Sequence, residues 1–315
     1  MRTHKLTKGL AVAAAFFLAF GLAAQTALAK EKYEEKFEKT EALAKDGKVI
    51  LRNISGRIGV KSWDQDQVKI EALKVAEANT LEKAKENAAK VTIDVTKTGN
   101  IVQIETKYPK ISNLNVSVHY TLTIPAKASI TVRSVSGNVD ASDIGGSFDG
   151  NITSGNAMIA RVAGGVDCKT ISGQIKVEDV PAACDLKTVS GTIEATKIKG
   201  SVQAETTSGS IILRDISEPK TVRVKVLSGR ISYEGQIIPG GRYDFETLSG
   251  SIHLAIPANS AFELDAESFS GSIDSAFKIT MEGKFSAKEL RGIVNNGGAT
   301  LRLKTFSGSI DIKQK

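Results

Sequence analysis

The dipeptide Ser-Gly recurs along this chain of 315 residues at an almost fixed interval, and no other feature limits the possible folds so strongly. From Ser136 onward, neighbouring copies are first 18 and then 20 or 21 residues apart, and the last interval of 37 residues is long enough for two units. Such a period indicates one small structural unit stacked many times, because the unit cannot bury its apolar face alone. The copies begin at Ser55, Ser136, Ser154, Ser172, Ser190, Ser208, Ser228, Ser249, Ser270 and Ser307.

Apolar residues alternate with polar ones on both sides of each dipeptide, which predicts one short β-strand before it and another after it. The alternation changes phase across Ser-Gly, so the dipeptide is predicted to form a corner. Glycine accepts a positive φ at a corner, and serine can hydrogen-bond the turn backbone, although a column of stacked hydroxyls could also contact a ligand. The predicted corner residues include Ser136, Gly137, Ser154, Gly155, Ser172, Gly173, Ser190, Gly191, Ser208 and Gly209.

A second corner lies about nine residues after the first, at turn-forming pairs such as Gly145-Gly146, Gly164-Gly165 and Pro181-Ala182. Two strands and two corners in each unit predict an all-β protein, a parallel β-solenoid with about ten coils over residues 130–315. We expect a degenerate corner at Leu290–Val294 to divide the last interval into two coils. The sequence leaves the handedness of the solenoid open.

The region before residue 130 has a different pattern. Residues 30–47 are rich in Glu and Lys and are interpreted as a charged lead segment, frayed or helical. Residues 48–129 are predicted to form a β-rich cap with one early coil around Ser55. The run Asn79-Thr80-Leu81-Glu82 resembles a capping box and predicts one short helix that ends near Ala89. A cap of this kind covers the end of the stack.

Residues 1–29 have the pattern of a cleaved signal peptide. Basic residues precede an uncharged run from Gly9 to Ala24, which is shorter than a membrane-spanning helix, and Ala27-Leu28-Ala29 fits a signal-peptidase site. The alternative is an uncleaved N-terminal anchor. No later segment approaches spanning length, so we expect an exported protein in the periplasm, at the cell surface or outside the cell. Removal of the three basic residues of this segment lowers the net charge from +7 to +4. Because no clustered basic patch with stacking aromatics is evident, nucleic acid is not an expected partner.

The repeated apolar-Ser-Gly-x-Ile/Val units and the stretch Gly56–Trp63 resemble the bacterial putative-adhesin family of β-strand-repeat proteins. The resemblance covers nearly all of the chain after residue 29. It implies a cell-envelope protein of unknown function and supplies no catalytic residues. The leading hypothesis is a non-enzymatic envelope protein whose solenoid side is a recognition or scaffolding surface. Its candidate partners are glycans, peptidoglycan or another envelope protein.

The alternative hypothesis is a polysaccharide lyase or hydrolase, because parallel β-helices also carry such enzymes. These need clustered carboxylates on a broad face, whereas the predicted coils are small and have almost no loops. The sequence contains no nucleophile elbow and no phosphate-binding loop. His119 and His253 lie far apart in the sequence, without a neighbouring metal ligand. We therefore expect no enzyme activity and no cofactor.

Asp149, Asp167 and Asp185 each precede a Ser-Gly by five residues, so they are predicted to stack on successive coils. Three carboxylates at strand spacing could hold a calcium ion. Lysines two residues further on the same face favour a solvated ladder of opposite charges instead. Cys168 and Cys184 are predicted to point inward on adjacent coils with an offset that is too large for a disulfide, although the Pro181 corner could shift the register.

Overall fold

The computed structural model describes residues 30–110, 114–281 and 288–315, and the predicted signal peptide lies outside these ranges. Alternating apolar and polar residues form strands in nearly all of this part of the chain. The N-terminal elements are β1 (Glu31–Ala42), β2 (Lys48–Ser55), β3 (Ile58–Trp63), β4 (Gln67–Ala78), α1 (Leu81–Ala89), β5 (Thr92–Thr98), β6 (Ile101–Lys107) and β7 (Val116–Pro125).

The strands after residue 128 come in pairs that flank the Ser-Gly dipeptides. The first pairs are β8 (Ser129–Ser136), β9 (Val139–Ile144), β10 (Phe148–Ser154), β11 (Ala157–Val162), β12 (Val166–Ser172), β13 (Ile175–Val180), β14 (Cys184–Ser190) and β15 (Ile193–Lys199). They continue as β16 (Val202–Ser208), β17 (Ile211–Ser217), β18 (Thr221–Ser228), β19 (Ile231–Gly235), β20 (Arg242–Ser249) and β21 (Ile252–Ile256). The last are β22 (Phe262–Ser270), β23 (Ile273–Ser275), β24 (Thr280–Met281), β25 (Glu289–Val294), β26 (Thr300–Ser307) and β27 (Ile310–Gln314).

Two long sheets run side by side along the rod, and each coil contributes one strand to each sheet. One sheet has 13 strands in the order β1-β4-β7-β3-β9-β11-β13-β15-β17-β19-β21-β27-β23. The other has 14 strands in the order β24-β25-β22-β26-β20-β18-β16-β14-β12-β10-β8-β2-β6-β5. Strands of successive coils pair in parallel, with Ser154 opposite Ser172 and Ser172 opposite Ser190. The fold is the parallel β-solenoid that the repeat predicts.

Small and branched side chains from both sheets fill the interior. In the middle of the rod the inward residues Ile175, Val177, Ile193 and Ala195 are fully buried. Where the repeat lengthens to 20 or 21 residues, the core widens and takes up aromatic rings. Tyr233 there contacts Phe245 with a ring-centroid distance of 5.2 Å. The longer coils therefore have aromatic side chains in the core where the shorter coils have aliphatic ones, and both sheets continue through them.

The glycine of each Ser-Gly corner lies directly against the glycine of the neighbouring coil. Gly173 has a φ of +141°, and a Cβ atom at this position would stand 2.1 Å from the carbonyl oxygen of Gly155. The Gly155 amide donates to the Ser172 carbonyl, which binds the two coils together at the corner. Only glycine fits both the conformation and the space, so the corner function predicted for these dipeptides has a direct steric cause.

The coils do not follow one another in sequence order at the C-terminal end. Strands β26 and β27 insert between the coil of β20–β21 and the coil of β22–β23. The expected extra corner at Leu290–Val294 is wrong, because these residues belong to β25, which pairs antiparallel with β22. Within the described residues there are nine Ser-Gly coils after residue 128, and the coil of β2–β3 makes a tenth.

The expected frayed or helical lead segment is also wrong, because residues 31–42 form β1, which pairs antiparallel with β4 along its whole length. Tyr33 and Phe37 give this charged strand two partly buried anchors against the core. Helix α1 starts where it was predicted, with the Thr80 side chain accepting a hydrogen bond from the Lys83 amide. At the N-terminal end antiparallel strands extend both sheets, β4 and β1 in one and β5 in the other. At the C-terminal end β25 and β24 extend the 14-stranded sheet, and the 13-stranded sheet ends at the short parallel strand β23.

Candidate functional site

The outer face of the 14-stranded sheet carries three parallel rows of side chains just before the Ser-Gly corners. Residues two, four and six positions before the serine point inward, so those one, three and five positions before it point outward. Because all coils share one register, each outward position becomes a row along the rod, with neighbours about 4.8 Å apart. The chemistry of the rod side is therefore set by these repeated positions.

We call the row directly before the serines the apolar row. Eight of its ten positions are large and hydrophobic, and these eight residues are between 42% and 63% exposed. Only three other large hydrophobic residues in the described part of the chain are this exposed, so exposure of such residues is concentrated here. In spatial order the row consists of Ile54, Val135, Thr153, Ile171, Val189, Thr207, Leu227, Leu248, Phe306 and Phe269.

The two phenylalanines end the apolar row as a stacked pair. The rings of Phe269 and Phe306 lie 4.6 Å apart at an interplanar angle of 6°. The Lys288 ammonium group lies 5.5 Å from the centre of the Phe269 ring. Phe306 therefore covers one face of the Phe269 ring, and Phe269 is still 63% exposed.

The row three positions before the serines is charged, and we call it the charged row. Its members pair across coils, with Lys304 Nζ 2.7 Å from Glu267 and Lys225 Nζ 3.2 Å from Glu246. In spatial order the row consists of Arg52, Arg133, Asn151, Lys169, Lys187, Glu205, Lys225, Glu246, Lys304 and Glu267. A shallow groove of about 720 Å³ lies between the charged row and the apolar row, from the coil of Lys169 to the coil of Phe269.

The three aspartates singled out in the sequence lie in the row five positions before the serines. Asp149 pairs in register with Asp167, and Asp167 with Asp185. Lys169 Nζ stands 3.1 Å from Asp167. Burial raises the pKa of Asp185, whose Oδ1 has no hydrogen-bond partner among the described residues. In those residues no three His, Cys, Asp or Glu side chains are grouped so that they could hold a metal, and calcium binding here stays a prediction.

A second ladder of charges, on the other sheet, was not predicted. Non-glycine residues seven positions after five successive serines adopt a left-handed conformation with φ between 51° and 61°. Arg161 makes two hydrogen bonds to the Asp143 carboxylate, at 2.6 and 3.0 Å. The five residues alternate in charge and are Asp143, Arg161, Asp179, Lys197 and Asp215. Their strict 18-residue spacing with alternating sign was visible in the sequence and could have revealed the ladder.

The two histidines of the described chain serve different local contacts. His119 Nδ1 accepts a hydrogen bond from the Arg57 amide at 3.0 Å, and burial lowers the pKa of its imidazole. His253 lies 2.9 Å from Asp311 at the other end of the 13-stranded sheet. The structure therefore does not bring the histidines together.

The two cysteines are buried, free thiols in the structure. Cys168 pairs in register with Leu186, and Cys184 with Val166, which is the offset expected from the sequence. Burial raises the pKa of each thiol to about 12. Both cysteines therefore act as core side chains.

The stacked coils and their outward rows define a parallel β-solenoid with a periodic side surface, and the match to a family model is consistent with this fold. The chain belongs to the Toastrack DUF4097 family, a domain of unknown function, whose family model matches residues 47–313. This match confirms the resemblance to the putative-adhesin family that the Ser-Gly units indicate. No curated protein matches the sequence significantly.

Several solved structures are similar to this chain over most of its length. A putative cell adhesion protein from Clostridium sporogenes is 13% identical, with 89% of this chain and 100% of the other covered and a TM-score of 0.22. A putative adhesin from Bacteroides fragilis is 13% identical, with 89% and 97% covered and a TM-score of 0.42. A putative adhesin from Parabacteroides distasonis is 12% identical, with the same coverage and a TM-score of 0.34. In the described part of this chain, no helix has both the length and the apolar character needed to span a bilayer.

Proposed function

We propose that this chain is an exported, non-enzymatic protein of the bacterial cell envelope, and that the side of its solenoid is a recognition or scaffolding surface. The single observation that carries the proposal is the apolar row. Eight large hydrophobic side chains stand about half exposed in one line along the rod. Thr153 and Thr207 interrupt the line. An exposed apolar surface of this extent marks an interaction site on soluble proteins, because leaving it in water is unfavourable.

The charges beside the row support binding rather than catalysis. A general acid needs a carboxyl group with a raised pKa, and a glycosidase needs a second carboxylate close by. In the groove the carboxylate of Glu267 lies within 2.7 Å of the Lys304 ammonium group, which lowers the pKa of Glu267. Glu246 and Glu205 also have lysine partners on neighbouring coils. These paired charges are consistent with a solvent-exposed side of the groove that orients a bound partner.

The signal-peptide pattern of residues 1–29 and the envelope character of the resembling family support export. Mass spectrometry of the protein recovered from its native cells tests this step. We expect the mature chain to begin at Lys30. A chain that retains Met1 and stays inside the cell would contradict export.

Binding of the purified protein to isolated envelope material, glycans and peptidoglycan tests the recognition step. The double variant Leu227→Ser/Leu248→Ser removes two members of the apolar row, and we expect it to lose most of the binding. Met158→Ser is the matched control, because Met158 is 53% exposed on the other sheet, away from the row. Any bound glycan is also assayed for cleavage. Turnover, or equal binding by both variants, would refute the proposal.

A further inference from the structure

The apolar row is large enough to form a stable interface between proteins. Half-exposed side chains of this size present on the order of 100 Å² each, so the eight members together present about 800 Å². The largest apolar patch on a typical monomer is roughly 300–600 Å². A standard interface buries about 800 Å² on each partner. The row therefore matches one side of an ordinary protein–protein interface in area.

The partner must have the same linear repeat as the row. Side chains along the row recur at the spacing of the coils, about 4.8 Å, over ten coils. Two such rows can interdigitate along their whole length only when both have that spacing, as paired sheets do in dry side-chain zippers. A second copy of this chain has the same spacing, because it consists of the same coils. A sugar ring stacks on an open aromatic face, and one face of the Phe269 ring is already occupied by Phe306.

The charged row shows how the two copies would be oriented. Its first five coils carry four basic residues, Arg52, Arg133, Lys169 and Lys187, and no acidic residue. Its other five coils carry three acidic and two basic residues, Glu205, Glu246, Glu267, Lys225 and Lys304. Two copies in the same direction that meet through their apolar rows have their charged rows on opposite sides of the interface, so the charges of the two copies do not pair. Two antiparallel copies place each basic half opposite a half that contains the acidic residues, which is favourable.

The ends of the rod direct association to its side. Open edges of a solenoid would allow copies to add end to end. Here three of the four sheet edges are the antiparallel strands β1, β5 and β24, and the fourth edge is β23, which has only three residues. None of them offers the long parallel edge of a repeat strand. An interface on the side with a two-fold axis is closed and gives a dimer rather than a fibre.

We propose that the apolar row is the interface of a homodimer in which two copies of this chain lie side by side and antiparallel. The proposal rests on the proposed function, because it names a second copy of this chain as the partner that the recognition surface binds. Envelope material then binds the dimer, and loss of the apolar row lowers that binding by separating the two copies. In this dimer the first coil of one copy faces the last coil of the other. Ile54 then lies opposite Phe269 of a second copy, and Val189 lies opposite Thr207 near the two-fold axis.

Sedimentation and light scattering of the exported, processed protein test the dimer. We expect a dimer at micromolar concentration. Leu227→Lys introduces two charges into the symmetric interface, and we expect it to weaken the dimer about 100-fold or more. Met158→Lys should leave the dimer intact, and circular dichroism should show that both variants are folded. A wild-type protein that is monomeric at 100 micromolar, or a dimer that Leu227→Lys does not weaken, would overturn the proposal.

Cysteine cross-linking tests the orientation. Chains with Ile54→Cys should form a disulfide with chains that carry Phe269→Cys, and neither variant should cross-link to itself. Self-linking by Ile54→Cys would show a parallel dimer and overturn the antiparallel arrangement. Flotation of the monomer with phospholipid vesicles would show that the row faces a membrane and would also overturn it.

The two proposals can fail separately. A monomeric wild type whose binding to envelope material still depends on Leu227 and Leu248 would refute the dimer and leave the recognition function standing. A dimer that forms through the row but binds no envelope material would support the dimer and refute recognition of a further partner.

Discussion

The column of corner glycines offers a sharp test of how the solenoid is held together. In Gly173→Ala, the new Cβ would stand 2.1 Å from the carbonyl oxygen of Gly155 and 2.7 Å from its carbonyl carbon. Carbon and oxygen atoms that are not bonded rarely approach closer than about 3.0 Å, so the two coils must separate by about 1 Å at this corner. The backbone hydrogen bonds that join these two coils at the corner, Gly155-to-Ser172 and Ala157-to-Gln174, are 3.0 and 2.9 Å long and would be stretched or lost.

The expected cost follows from two contributions. A non-glycine residue at positive φ costs on the order of 1–2 kcal/mol. Loss of two backbone hydrogen bonds, at about 1 kcal/mol each, brings the total to about 3–4 kcal/mol. This is a large part of the roughly 5–15 kcal/mol that stabilises a folded protein. We therefore expect Gly173→Ala to lower the urea midpoint strongly or to prevent folding.

Gly99→Ala is the matched control. Gly99 also has a positive φ, of +58°, but a Cβ atom there would meet nothing within 4 Å. This variant retains the conformational cost of about 1 kcal/mol and lacks the clash. The difference between the two variants in the free energy of unfolding, measured with urea and circular dichroism, should be about 2–3 kcal/mol. Equal midpoints would show that the coils are not packed through their glycines and would refute this explanation of the repeat.

Three further outcomes concern the coil, the core and the aspartate row. Deleting residues Gly173–Ser190 removes one whole coil and should leave a shorter rod that melts cooperatively. Deleting Gly173–Pro181 reverses the inward and outward positions downstream and should cause aggregation. If the first deletion does not fold, the stability of the rod is not a sum of contributions from its coils. The thiols of Cys168 and Cys184, with pKa values raised to about 12 by burial, should react with a thiol reagent at pH 8 only after unfolding, and fast labelling of the native protein would contradict their burial. Asp185→Asn should keep or raise the urea midpoint at pH 7. Burial raises the pKa of the Asp185 carboxyl, so its charge destabilises the folded protein above that pKa, and the destabilisation is relieved as the pH falls through it. A wild-type midpoint that rises with millimolar calcium, and no longer rises in the variant, would support the calcium site instead.

Local patterns in the sequence were sufficient to predict the coil. The dipeptide, the two-residue alternation and the turn residues all act within about 20 residues, and each predicts the same corner or strand. The inward positions follow directly, and Ile175 and Ile193 are fully buried as the alternation requires. The N-terminal cap of α1 at Thr80 also depends only on residues close in the sequence, and its prediction is confirmed.

Features that depend on distant pairing were not predicted. The Glu- and Lys-rich segment 31–42 has weak apolar alternation, and it becomes a strand because β4 supplies a partner for every residue of it. The outward orientation of the apolar row could have been recognised. Its residues precede the serine by one position, whereas the inward residues Cys168 and Val166 precede Ser172 by four and six, so the two sets differ in parity. Apolar character alone marks both sets as strand residues, and only their parity separates the two faces.

The order of the last coils shows what a repeat can and cannot specify. Every coil offers the same corner and the same inward row, so the coil of β26–β27 fits on the coil of β20–β21 as well as a following coil in the sequence would. Individual side chains then determine which coil comes last. Asp265 on β22 contacts Arg291 of the antiparallel β25 at 2.9 Å and lies 3.7 Å from Arg302 of the inserted β26, while Phe262 packs against Phe277. Because β22 pairs with β25 on one side, the coil of β22–β23 can only be the last coil of the stack. The coil of β26–β27 presents the same repeat positions as the other coils, so it can lie between the coils of β20–β21 and β22–β23.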